Sequence, residues 1–139
     1  MGLIRKRLRT EIDLARKAAA ARRERATTVT RAYETFLGEI AIPAFRQFAT
    51  VMRAEGIPFE VQTPLHGVRL VSDRNRDDAL EVELDPTVDP PQVMFVGTQT
   101  RGSRILRTER PIKDGATPDQ ISEDDLIERL IEELRPWLS

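Results

Sequence analysis

The chain contains no cysteine, and only one histidine, one tyrosine and one tryptophan. Without thiols there is no disulfide framework, no thiolate metal site and no cysteine nucleophile, and the absence agrees with a reducing compartment. Seven glycines are scattered singly, so no glycine-rich loop is present to cradle a phosphate. No apolar run reaches the length needed to cross a bilayer. The opening Met1-Gly2-Leu3-Ile4-Arg5-Lys6-Arg7 is charged with no apolar run behind it, so it does not read as a secretory signal. Lys6 stands where N-myristoylation wants Ser or Thr. These exclusions describe a cytoplasmic protein. Lysine is also scarce: of 22 basic residues 19 are arginine, a bias that reflects a GC-rich genome and hints at a bacterial source.

What is present is ordinary globular material: 139 residues, 40% hydrophobic and 32% charged, enough for one domain around one core. Its charge is unevenly placed. Residues 1–25 hold nine basic and three acidic side chains, whereas the rest holds thirteen basic and twenty acidic, eight of the acids lying between Asp114 and Glu133. The chain therefore has a positive head and a negative tail.

The remaining features are organised around Val29–Gly56. Val29, Tyr33, Phe36, Ile40, Phe45, Phe48 and Met52 belong to a stripe at steps of three and four, the spacing of one helix face. Four of the seven aromatic residues lie on it, so most aromatic burial is committed there. Pro43 removes a backbone donor and crowds the carbonyl of Glu39, which predicts a kink near Pro43 or, alternatively, a split into two helices at Ile42. Gly56 and Pro58 end the helix. Before it, residues 1–26 form a basic helical arm whose apolar stripe of Leu3, Ile4, Leu8, Ile12 and Ala15 is thin. Thr27, Thr28 and Thr30 interrupt this arm, and Thr28 is positioned to cap the next helix.

After Gly56 the period changes to two. Alternation predicts strands around Phe59, Val68–Leu70, Leu80–Leu84, Val93–Val96 and Ser103–Thr108, with a turn over Thr98–Gly102. Short links imply an antiparallel meander. Thr117-Pro118-Asp119-Gln120 and Ser122 carry helix-start signals ahead of a C-terminal stripe of Leu126, Ile127, Leu130, Ile131 and Leu134. The expected architecture is α+β: a long amphipathic helix, five antiparallel strands and a C-terminal helix, with residues 27–139 forming a single domain behind the arm.

Candidate chemistry is sparse, and no catalytic residue, cofactor or metal is assigned. His66 beside Gly67 reads as a solvated turn residue. Asp73, Asn75 and Asp77 open like a calcium loop, but Asp78 replaces its glycine and Leu84 its bidentate glutamate. Glu81, Glu83 and Asp85 line one strand face and are balanced by Arg69, Arg104 or Arg107. The function expected from this pattern is a non-enzymatic homo-oligomeric interaction module, a dimer first, with contacts through Leu8, Ile12, Phe36, Phe45, Met94 and Val96. Two alternatives stand beside it. One is nucleic-acid association through Arg5, Arg9, Arg16, Arg22 and Arg23, the same arm also suiting an acidic partner protein. The other is a ligand or enzyme pocket between helix and sheet. The dull reading of the arm is that it folds back along its own sheet.

Overall fold

The computed structural model describes residues 2–139. Helix α1 runs from Gly2 to Phe36, a π-helical turn spans Leu37–Ala41, and α2 continues from Ile42 to Ala54. Strands β1 (Phe59–Gln62), β2 (Val68–Ser72), β3 (Ala79–Asp85), β4 (Gln92–Arg101) and β5 (Arg104–Pro111) follow. A 3-10 turn at Pro118–Gln120, helix α3 (Glu123–Leu134) and a second 3-10 turn at Arg135–Trp137 complete the order. The sheet order is β1-β2-β3-β4-β5 with every neighbour antiparallel, the expected meander.

The long helix answers Pro43 with a π turn, and α2 begins at Ile42. The Ile42 amide donates to the carbonyl of Leu37, five residues back, so the chain widens by one residue into a π turn. This frees room for the proline ring near the start of α2 while the helical path persists. The threonines do not interrupt α1. Thr27 and Thr30 donate their hydroxyls to the carbonyls of Arg23 (3.0 Å) and Ala26 (2.9 Å) one turn back, which satisfies them inside a helix. Thr28 caps nothing, because helix lies on both sides of it. At the far end Gly56, with φ +81°, lets its amide reach Arg53 and the Ile57 amide reach Met52 (2.8 Å), closing α2 in a Schellman motif.

One face of the sheet carries Phe59, Val68, Leu70, Leu80, Val82, Val93 and Phe95 into a core shared with Tyr33, Phe36 and Phe45 of the helix. Leu126, Leu130 and Leu134 of α3 close this core and are fully buried. Phe45 stacks on Phe95 with ring centroids 6.5 Å apart, and Phe59 meets Trp137 edge-on at 5.6 Å. On the other sheet face Val71, Ala79 and Val96 are also buried, lying in rows with long charged side chains. Those charges pair as Arg69–Glu81 (3.7 Å) and Arg76–Glu60 (3.0 Å). The β4–β5 hairpin is longer than expected: the turn is only Gly102-Ser103, with Gly102 at φ +61° supplying the first position of a tight two-residue loop. Thr98–Arg101 therefore continue β4.

Candidate functional site

Residues 2–18 of α1 are exposed on every side and form an arm of about 25 Å at 1.5 Å per residue. The body first engages the helix further along, where Arg25 reaches Asp89 (3.3 Å) and Val29 becomes buried. Because α1 is unbroken from Gly2 to Phe36, the arm cannot fold back on its own sheet. Ile4, Leu8, Ile12, Ala15 and Ala19 recur at steps of three and four and lead through Ala26 into Val29, Tyr33 and Phe36. The face that packs on the sheet thus continues bare beyond it. Leu3, Ile4, Leu8, Ile12 and Leu14 are between 40% and 69% exposed. Folded chains show isolated apolar side chains routinely, but Ile4, Leu8 and Ile12 share one face of the arm, with Leu3 and Leu14 on a flanking one.

Charge follows the same division. Arg5, Arg9, Arg16 and Arg23, four and seven residues apart, fall on one line beside the apolar stripe. Among the described residues the arm's only ion pair is that of Arg25. Opposite in sign, α3 presents Glu123, Asp124 and Glu128 at the surface, also without ion-pair partners among the described residues. Its Asp125 is committed elsewhere. Hydrogen bonds from the Ser122 backbone amide (3.0 Å) and from Lys113 (3.1 Å) hold that carboxyl below the usual aspartate value.

Between α2 and α3 lies a shallow apolar groove of about 220 Å³, lined by Ala44, Gln47, Phe48, Val51, Glu123 and Ile127. Val51 is 62% exposed, and Ile131, one turn beyond Ile127, is 41% exposed. Sequence periodicity places Ile127 and Ile131 on the C-terminal stripe; the paired positions 126/127 and 130/131 carry the signal that α3 is apolar over more than one face.

The expected oligomer contacts divide. Leu8 and Ile12 lie on the exposed arm, and Met94 is half-buried on the sheet face away from the helices. Phe36, Phe45 and Val96 are 3%, 0% and 6% exposed within a single chain, so their side chains offer a second subunit almost nothing to cover. The cover that Val93–Val96 required is supplied internally. Of the arginines assigned to nucleic acid, Arg5, Arg9, Arg16 and Arg23 share a line, whereas Arg22, three residues after Ala19 and seven before Val29, lies on the apolar stripe itself.

A second concavity, about 430 Å³, opens between α1 and the edge of β3 and includes Tyr33, Glu34, His66, Glu81, Glu83 and Leu84. Tyr33 donates its hydroxyl to the His66 carbonyl (2.6 Å) and lies 3.5 Å from that of Val82. Burial, reinforced by Glu83 and Glu81, pushes this hydroxyl above the usual phenol value, so it remains a donor at neutral pH. Desolvation likewise raises Glu81, with Arg69 opposing the shift. Tyr33 is thus spent on tying the loop before β2 to the helix. Tyr33→Phe is expected to cost about 1 kcal/mol in urea unfolding, the typical net worth of such a bond. The Asp73–Asp77 turn is closed by its own groups: Asn75 accepts from the Asp77 amide (3.0 Å), and Arg53 holds Asp73 (2.8 Å). Among the described residues, no cluster of three His, Asp or Glu side chains is arranged to hold a metal ion, and no helix is long and apolar enough to cross a membrane. Comparison with protein-family models, curated proteins and solved structures finds no match to the chain.

Proposed function

We propose that the chain is a non-enzymatic interaction module that self-associates in the cytoplasm, a homodimer being the simplest form. The observation that carries this reading is the bare apolar stripe of the arm, in phase with the core face of the same helix and out of reach of its own body. Such a stripe is stabilised by a partner, and a second copy is the partner always at hand. Light scattering of the full chain at micromolar concentration is expected to give a mass near a multiple of 15.8 kDa. Leu8→Glu with Ile12→Glu should return the mass to 15.8 kDa while the urea unfolding midpoint of the body stays unchanged. A wild-type monomer at that concentration contradicts the reading.

A second reading draws on the arginine line. Arg5, Arg9, Arg16 and Arg23 are spaced along one side of a rigid rod, a form suited to following a phosphate backbone. It competes with the acidity of the rest of the chain, where acids outnumber bases by seven. Binding of this kind would weaken steeply with salt, with a log–log slope of about −0.9 for each phosphate contacted. No retention of DNA or RNA even at low ionic strength would rule it out.

A further inference from the structure

We infer that the α2–α3 groove of one copy is the receiving site for the N-terminal arm of a second copy. The inference rests on the self-association reading and names the surface it uses. The arm offers Ile4, Leu8 and Ile12 at four-residue steps, with Arg5, Arg9 and Arg16 alongside. The groove offers the complement: apolar Phe48, Val51 and Ile127 with Glu123 among its lining, and Asp124 and Glu128 exposed on the same helix α3. An amphipathic helix laid by its apolar face in a hydrophobic groove is a recurring mode of recognition, with anchors three, four and seven residues apart; Ile4, Leu8 and Ile12 share such a face.

Charge decides between this occupant and the simplest rival, two arms paired with each other. Residues 1–25 carry an excess of six positive charges, so arm-to-arm pairing brings like charges together along its whole length. Seating the arm on α3 instead matches unpaired arginines with unpaired carboxylates. Reach then requires the contact to be intermolecular, because the straight helix carries the arm away from the groove of its own chain. Two chains that exchange arms in this way close a two-fold dimer in which each contact occurs twice.

A charge swap on the full chain tests the assignment. One variant carries Arg5→Glu, Arg9→Glu and Arg16→Glu; the other carries Glu123→Lys, Asp124→Lys and Glu128→Lys. All six positions are exposed. Each variant alone is expected to self-associate at least tenfold more weakly than wild type by sedimentation, and an equimolar mixture should recover the wild-type mass. That recovery also shows that both variants fold, and Val51→Asp in the groove wall should weaken association on its own. If the α3 variant self-associates like wild type, the groove is not the receiving site, although self-association stands. If the arm variant alone is affected and mixing rescues nothing, the arm docks elsewhere and the assignment is overturned. If wild type is itself monomeric, the underlying reading fails with it.

Discussion

Phe45→Ala is expected to lower the free energy of unfolding by about 3–5 kcal/mol. Phe45 is fully buried at the beginning of α2 and stacks on Phe95 of β4, which is paired on both edges. The sheet backbone on one side and the π turn on the other hold the surroundings in place, so the cavity cannot collapse and its full cost is felt. Against a total stability of about 5–15 kcal/mol for a domain, this removes roughly a fifth or more. Urea unfolding should show a lower midpoint with an unchanged slope. Phe48→Ala is the internal comparison: Phe48 is half-buried in the groove wall, and the smaller fraction of apolar surface it hides should give a smaller loss.

Gly67→Ala should destabilise by about 1–3 kcal/mol through overpacking. A methyl group at this position would stand 2.5 Å from the Val82 carbonyl oxygen, an atom of a central strand that cannot retreat without breaking its ladder. The backbone there is not left-handed, so glycine is required for space and not for conformation. Any shift of the loop also displaces His66 and lengthens its bond to Tyr33, which adds about 1 kcal/mol. Gly38 makes the contrast, since a methyl group there meets nothing within 4 Å. In a helical setting Gly38→Ala should be neutral or stabilise by up to about 1 kcal/mol. Equal losses at the two glycines, measured by urea unfolding, would contradict the steric account.

The architecture was legible because its signals are local and periodic. The stripe from Val29 to Met52 and the alternation from Leu80 to Leu84 each identify an element and its buried side without reference to the rest of the chain. Where the outcome depended on geometry between elements, periodicity was insufficient. Phe36 and Phe45 were as apolar as Leu8 and Ile12, and only the length of the sheet decides which of these the chain covers itself. Thr27 and Thr30 looked like an interruption because a hydroxyl competes with the backbone in many settings, yet here each finds the carbonyl one turn back. The groove was hidden for a related reason. Ile127 and Ile131 are neighbours of Leu126 and Leu130 on the same helix, and which member of each pair faces inward is set by where α2 lies. Gly67 left no trace in the pattern, because its role is a close approach to Val82, fifteen residues further on.

The arm also bears on dynamics. A helical extension without tertiary contacts is marginal in water even when rich in alanine and arginine, so its amides should open readily in an isolated chain. Hydrogen exchange of the full chain at high and low protein concentration therefore tests the central claim directly. The account predicts that amides across residues 3–16 are protected at high concentration and lose that protection on dilution, while those of α2 stay protected throughout. Exchange across residues 3–16 at one rate regardless of concentration would contradict it.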